Sequence, residues 1–246
     1  MTRTAVAPPL RARRVVVGCA AALATVLGLT ACSGSSDARP TDQLDIAVIG
    51  DSFTEGTPLG GEGDTNWTVV LSSLLDTAGI AHSISVEASS GSGYVSPGIR
   101  NLTFAQMSEL AIKPGTDLVI VFGSVNDAGE DEAAYASAVR ASLESMRKRA
   151  GSATLLVVGP AWVDARIPAE VARMEEVLRV ESLRVDADFV NPLDQRWFFD
   201  PNRSNVVGLI STDGLHPTDV GHAYLAERMA DLVRQEIRDR AVVTVP

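Results

Sequence analysis

Short apolar runs alternate with longer segments of helical periodicity along most of this chain, and that alternation most constrains its fold. The apolar runs have the length of strands and carry few charges, as strands buried on both faces do. Two strands joined by a helical crossover run parallel in one sheet, and the helices cover its faces. The sequence therefore predicts a three-layer α/β/α sandwich with about five parallel strands, at residues 44–50, 83–88, 117–122, 153–159 and 188–190.

The helical segments lie between and after these strands, at residues 67–75, 104–110, 130–150 and 168–184. Gly79 closes the first of them, because glycine readily adopts the backbone conformation that ends a helix. We expect a last helix to open at His216-Pro217 and to run to about Arg240, since proline suits the first helical turn. Residues 44–246 contain no internal repeat and are predicted to form one domain.

The N-terminal segment has the pattern of an export signal rather than of a folded element. A basic stretch without acidic residues precedes an apolar run over 15–29, which is shorter than the roughly 20 residues that span a bilayer. The run ends in Leu29-Thr30-Ala31-Cys32. This box resembles the bacterial lipobox, in which a peptidase cuts before the cysteine and the thiol then carries a diacylglycerol.

That resemblance implies a signal peptide over 1–31 and a lipidated Cys32 at the start of the mature chain. Residues 32–43 are rich in Ser, Gly, Asp, Pro and Thr, which predicts a flexible tether. The protein is then expected to be exported and lipid-anchored at the outer face of the bacterial cell membrane. A plain transmembrane anchor and twin-arginine export through Arg13-Arg14 are the alternatives.

Charge and cysteine content exclude several classes of function. The net charge is −10, and loss of the four arginines of the signal leaves −14 on the mature part. A nucleic-acid partner is therefore not expected, because phosphate binding needs a basic surface. Cys19 would be lost with the signal and Cys32 would be lipidated, so we expect neither a disulfide nor a cysteine nucleophile.

Polar residues follow the first and third strands, at the edge where the functional groups of open α/β sheets collect. Ser52 follows the first strand within Gly50-Asp51-Ser52, and it is either a nucleophile or a helix cap. Asn126 follows the third strand, and it is either an amide donor to a developing oxyanion or a turn residue.

Two further motifs supply backbone donors and a candidate base. Gly91 and Gly93 lie in the loop after the second strand, where they let the backbone approach a ligand, although such Gly-Ser loops are common. Asp213 stands three residues before His216, so its carboxylate can reach Nδ1 and leave Nε2 free to act as a base. The alternative for this pair is a turn-capping aspartate beside a surface histidine.

Taken together, these blocks resemble the SGNH hydrolase superfamily, also called the GDSL esterases. That family has GDS, a glycine, G-x-N-D and D-x-x-H in the same order, and the resemblance covers about residues 44–240. It implies a flavodoxin-like strand order and a serine esterase that uses no cofactor and no metal. It further implies Ser52 as nucleophile, His216 as general base and Asp213 as the acceptor that orients His216.

The same resemblance implies an oxyanion hole with three donors. These would be the backbone N–H of Ser52, the backbone N–H of a glycine, and the side-chain amide of Asn126. Gly91 and Gly93 both fit the glycine block, and Gly91 is preferred because it lies nearer the end of the strand.

Several other residues are expected to have structural roles. Asp51 and Asp127 are expected to brace loops rather than to react. His222 has too few potential ligands around it for a metal site, and His82 is expected to be exposed at a strand start. Core packing is favoured over an acyl or sugar pocket for three aromatic residues, Trp197, Phe198 and Phe199.

The predicted reaction is acyl transfer to water through an acyl-serine intermediate. The site loops are dominated by Gly, Ser, Asp, Asn and Pro, which favours a short acyl ester on an envelope carbohydrate or a small molecule. An acyltransferase, a lysophospholipase or a thioesterase could use the same residues. From another class, a catalytically inactive envelope-binding lipoprotein is the alternative. The sequence does not indicate an oligomeric state.

Overall fold

A computed structural model of the chain describes residues 43–200 and 207–243. The described strands are β1 (Leu44–Gly50), β2 (His82–Ala88), β3 (Leu118–Phe122), β4 (Thr154–Val158) and β5 (Asp188–Val190). Each predicted strand is present, and its bounds differ from the prediction by at most one residue at either end.

The five strands form one sheet in the order β2-β1-β3-β4-β5, and every neighbouring pair is parallel. The predicted parallel sheet and its flavodoxin-like order are thereby confirmed. The chain winds outward from β1 in both directions, so the connections leaving β1 and β3 diverge. They open a crevice above the carboxyl ends of these two strands, which is where open α/β sheets bind their ligands.

The described α-helices are α1 (Ser52–Glu55), α2 (Trp67–Thr77), α3 (Phe104–Ala111), α4 (Glu132–Ala150), α5 (Ala169–Arg184) and α6 (Asp219–Val243). Side-chain caps fix where two of the longer ones begin. The carboxylate of Asp131 accepts hydrogen bonds from two backbone N–H groups in the first turn of α4, and Asn66 accepts one at the start of α2. Such caps satisfy N–H groups that have no partner within the helix.

The side chains of β1 point alternately into two hydrophobic cores, one on each face of the sheet. Ile46 and Val48 point into a core shared with α2 and α6, whereas Ala47 and Ile49 point into one shared with α3, α4 and α5. All four side chains are buried, as expected for a strand covered on both faces. Helices thus cover both faces of the sheet and leave its carboxyl edge to the connecting loops.

The last helix begins later than predicted. α6 starts at Asp219, not at His216-Pro217. Pro217 instead forms an antiparallel bridge with Ile210, which keeps the chain extended up to Thr218. The side chain of Thr218 then accepts a hydrogen bond of 3.1 Å from an N–H of the first turn. Pairing with the segment just before it in the chain therefore outweighed the preference of proline for a first helical turn.

No helix within residues 43–200 and 207–243 is both long and apolar enough to cross a membrane. The signal peptide predicted over 1–31, Cys32, and the tether predicted over 32–43, apart from its last residue, lie outside the described residues. The export and anchoring predicted from them remain predictions.

Candidate active site

Ser52 occupies the turn between β1 and α1, at the carboxyl edge of the sheet. It is the first residue of α1, where a backbone N–H has no partner within the helix. The carboxylate of Asp51 caps this short helix by accepting a hydrogen bond of 2.9 Å from the N–H of Phe53. The Ser52 side chain is mostly buried but lies within reach of the loop that precedes α6.

Three predicted residues meet in one line of hydrogen bonds. Ser52 Oγ lies 2.9 Å from Nε2 of His216, and Nδ1 of His216 lies 2.6 Å from Oδ2 of Asp213. If Nδ1 carries the proton and donates to Asp213, Nε2 is free to accept the hydroxyl proton of Ser52. This is the arrangement in which a serine hydroxyl can be activated for attack on a carbonyl.

Asp213 is held in its ionised form by the loop around it. Desolvation raises its pKa, but hydrogen bonds from Ser211, from His216 and from the N–H of Leu215 lower it well below its ordinary value. Its Oδ1 accepts from Ser211 Oγ at 2.6 Å and from two backbone N–H groups at 2.9 and 3.0 Å. These bonds fix the carboxylate, so that Oδ2 faces the imidazole.

The two candidate glycines differ in whether their N–H groups are free. The N–H of Gly93 donates to Ser96 O at 2.9 Å, and a Cβ at Gly93 would lie 2.4 Å from the Asp127 carboxylate. Within the described part of the chain, no acceptor takes the N–H of Gly91. Gly91 also has a positive φ of 77°, which other residues rarely adopt. The free N–H favours Gly91 over Gly93 as an oxyanion donor.

The side chain of Asn126 lies between the loops that follow β1 and β2. Its Nδ2 donates to the backbone O of Ser92 at 2.8 Å and to Oδ2 of Asp51 at 3.3 Å. The amide is therefore beside the turn of Ser52, as the oxyanion prediction requires. In this structure both of its hydrogens face protein acceptors, and the bond to Asp51 is the longer and weaker one.

Two carboxylates brace the loop that carries Gly91. Asp127, as predicted, accepts hydrogen bonds from the backbone N–H groups of three successive residues, 94–96. Glu55 was not identified from the sequence: its Oε2 accepts from the N–H and from the Oγ of Ser90, at 2.6 and 2.5 Å. Glu55 stands one helical turn after Ser52, so it joins the turn of Ser52 to the loop of Gly91.

A small cavity of about 10 Å³ lies between the turn of Ser52 and the end of β3. Its walls include Phe53, Phe122 and Ala161. Phe53 packs edge-on against Phe122 and Phe198, with ring centroids 6.0 and 6.1 Å apart. The cavity has the volume that one water molecule needs, and the rings of Phe53 and Phe122 form part of its wall.

The other candidates have structural roles. Trp197 and Phe198 are buried in the core as predicted, and Phe199 is partly buried. His222 is also buried: its Nδ1 accepts the N–H of Trp67 at 3.3 Å, and burial lowers its pKa to about 4. Among the described residues, no cluster of three or more His, Cys, Asp or Glu side chains could hold a metal ion.

The exposure predicted for His82 is wrong. Only 5% of its side chain is accessible, and its Nε2 lies 2.7 Å from the hydroxyl of Ser72 on α2. Its Nδ1 lies 2.9 Å from the backbone O of Ile80. The helix that precedes β2 therefore covers this histidine at the end of the strand.

The fold and the site define a serine hydrolase built on a five-stranded parallel sheet. More particularly, the chain belongs to the GDSL-like lipase/acylhydrolase family, whose sequence profile matches residues 48–224. The family resemblance drawn from the sequence is thereby confirmed. The protein is a carboxylic ester hydrolase.

One relative is a GDSL lipase from Mycobacterium tuberculosis, which is 36% identical over 227 residues, covering 90% of this chain and 96% of that protein. Similar solved structures include Est24, a carbohydrate acetylesterase from Sinorhizobium meliloti, with a TM-score of 0.57 and 18% identity over 78% of this chain and 99% of that one. The acetyl xylan esterase AlAXEase gives a TM-score of 0.61 and 17% identity over 77% and 100% of the two chains. At these identities the structures show a shared fold.

Proposed function

We propose that the protein hydrolyses esters of short acyl groups through an acyl-enzyme on Ser52. The observation that carries this proposal is the unbroken line of hydrogen bonds from Asp213 through His216 to Ser52. An esterase with these residues has one nucleophile, one base and one orienting acceptor. Labelling by a fluorophosphonate, which reacts with activated serines, tests the proposal and separates it from an inactive binding protein.

In the first half of the reaction, Ser52 Oγ attacks the ester carbonyl carbon while its proton passes to Nε2 of His216. The carbonyl oxygen becomes an oxyanion that accepts hydrogen bonds from the N–H groups of Ser52 and Gly91 and from the amide of Asn126. When the tetrahedral intermediate collapses, His216 gives its proton to the leaving alkoxide. The alcohol departs, and the acyl group stays on Ser52.

In the second half, a water molecule takes the place of the alcohol. His216 removes a proton from that water, which attacks the acyl carbon and forms a second oxyanion. Collapse returns the proton from His216 to Ser52 Oγ and releases the carboxylic acid. Asp213 stays ionised throughout and stabilises the imidazolium that forms twice in each cycle. No metal or cofactor has a role in this scheme.

The proposed preference for short acyl chains rests on the polar composition of the site loops and on the aromatic packing that follows Ser52. Phe53 packs against Phe122 and Phe198, and the cavity that Phe53 and Phe122 help to line measures only about 10 Å³. The names of two similar structures, a carbohydrate acetylesterase and an acetyl xylan esterase, agree with a small acyl group on a sugar. We propose an acylated envelope carbohydrate or small molecule as the substrate.

We expect kcat/KM on p-nitrophenyl esters to be highest for acyl chains of about two to six carbons. If an apolar channel buried the chain instead, each added CH₂ would contribute roughly 0.8 kcal/mol, which is about fourfold in kcat/KM. The test measures kcat/KM from acetate to palmitate below the aggregation limit of each ester. A maximum at ten carbons or beyond would contradict the proposal and favour a lipase or a thioesterase.

The site of action that we propose is the outer face of the cell membrane, with Cys32 as the lipid anchor. We expect Cys32→Ala to move the protein from the membrane fraction to a soluble or unprocessed form. Cys19→Ala is the matched control, since Cys19 lies inside the predicted signal peptide and should not affect anchoring. Fractionation and intact mass spectrometry would check this, and membrane retention of a cleaved Cys32→Ala protein would refute the anchor.

A further inference from the structure

The carboxyl group of Asp51 is buried at the centre of the candidate site. Asp51 is 3% exposed, and no lysine or arginine of the described residues forms an ion pair with it. Burial raises its pKa to about 6, against the opposing effects of hydrogen bonds and of His216. Burying such a group costs free energy unless hydrogen bonds replace its contacts with water. The partners of these hydrogen bonds therefore indicate what Asp51 does in the site.

The two oxygens of Asp51 hold two different parts of the site. Oδ1 accepts the N–H of Phe53 at 2.9 Å, which fixes the turn that presents Ser52. Oδ2 accepts Nδ2 of Asn126 at 3.3 Å. Gly123 permits this approach of β3, because a Cβ there would lie 3.1 Å from Oδ2 and its φ is +110°. One carboxyl group thus joins the turn after β1 to the loop after β3.

The amide of Asn126 is oriented by acceptors on two sides. The backbone O of Ser92 takes one hydrogen at 2.8 Å, and Asp51 takes the other at 3.3 Å. An amide nitrogen has two hydrogens and no more. If Asn126 is to donate to an oxyanion, one of these bonds must be shared or released, and the longer bond to Asp51 is the weaker of the two.

We propose that Asp51 is a positioning residue for the oxyanion hole. It holds the amide of Asn126 beside the turn of Ser52 and gives up or shares that hydrogen when the oxyanion forms. Without Asp51, the amide would keep only Ser92 as an acceptor among the described residues and could then turn away from the substrate. The proposal goes beyond a loop-bracing role for Asp51, and it rests on the oxyanion role proposed for Asn126.

The first test separates two roles of Asp51: capping α1 through the N–H of Phe53, and accepting a hydrogen bond from Asn126. Asp51→Asn keeps one acceptor oxygen but replaces the other with an NH₂ group, so it cannot hold both partners. Asp51→Ser keeps a side-chain oxygen suited to capping and has no second oxygen for Asn126. We expect both variants to lose about tenfold to a hundredfold in kcat with little change in KM. A role limited to capping would leave Asp51→Ser close to the wild-type kcat, which would overturn the proposal.

Asp131→Asn is the matched control, because Asp131 caps α4 through two backbone N–H groups. It should leave kcat unchanged. Circular dichroism and thermal melting would show whether each Asp51 variant is folded. If one of the two does not fold, the other carries the same kcat and KM comparison.

The decisive test is a double-mutant cycle between Asp51 and Asn126. If Asp51 acts through Asn126, Asp51→Asn should cost less than about threefold in kcat when added to Asn126→Ala. Multiplicative losses would overturn the positioning role while leaving Asn126 as an oxyanion donor. A wild-type kcat in Asn126→Ala alone would instead refute the oxyanion role in the proposed function, and the positioning role would fall with it.

Discussion

Replacing Ser52 with alanine is expected to lower kcat for ester hydrolysis by about 10⁴–10⁶-fold, the range seen when the nucleophile of a serine hydrolase is removed. The hydroxyl of Ser52 is the group 2.9 Å from Nε2 of His216, and alanine has no atom to take its place. Backbone donors and Asn126 would remain, so a residual rate about 10³–10⁴-fold above the uncatalysed reaction is compatible with the mechanism. Initial rates on p-nitrophenyl acetate check the result.

The fold should survive this change, since Ser52 contributes a small hydroxyl rather than core volume. Ser83→Ala is a suitable control, because Ser83 is exposed on β2 and its hydroxyl donates to Asp45 at 2.7 Å, away from the site. That variant should keep its full activity. Ser52→Ala should keep the wild-type melting temperature to within a few degrees. A folded Ser52→Ala protein with most of its activity would show that the nucleophile is misassigned.

The second large effect is expected for Asn126→Ala, which should lower kcat by about 10²–10³-fold, the usual loss for one oxyanion donor. The amide is needed most when the negative charge develops, so KM should change little. Steady-state kinetics on an ester of a short acid measure both constants. The Asn126→Asp variant offers a control of nearly equal size that places no donor at the oxyanion, and it should not restore kcat.

A change in KM rather than in kcat would assign Asn126 another role. A tenfold rise in KM at unchanged kcat would mean that Asn126 binds the substrate in its ground state. Asn126 also donates hydrogen bonds to Ser92 and Asp51, so a destabilised site would lower kcat as well. Melting temperatures would detect that destabilisation. The predicted outcome is a folded enzyme with wild-type KM and a greatly reduced kcat.

The sheet could be predicted closely because its central strands β1, β3 and β4 are short, mostly apolar segments, as strands buried on both faces are. The start of α6 could not be predicted from the sequence. Its position depends on the bridge between Pro217 and Ile210, a contact of the folded chain that no local preference reveals. The burial of His82 depends likewise on α2, which places the hydroxyl of Ser72 2.7 Å from its Nε2.

Within the site, too, residues in local motifs could be predicted, whereas contacts between residues far apart in the chain could not. Ser52, Asp213 and His216 stand in short motifs whose internal spacing suggests what each residue can do. Glu55 gave no such signal, because its partner Ser90 lies 35 residues away in the chain and is reached only through the parallel pairing of β1 with β2. The bond from Asn126 to Asp51 is equally hidden, since it joins residues 75 positions apart in the chain.

The role of Ser52 as nucleophile is tested most directly by locating the covalent adduct that a fluorophosphonate leaves on the wild-type enzyme. Tandem mass spectrometry of the digested protein would place the adduct on a single side chain. Other serines stand in the same loops, among them Ser90, Ser92 and Ser124, so the experiment can distinguish between real alternatives. We expect an adduct on Ser52 alone, formed much more slowly in His216→Ala. An adduct on any other residue would contradict the assignment of Ser52 as the nucleophile.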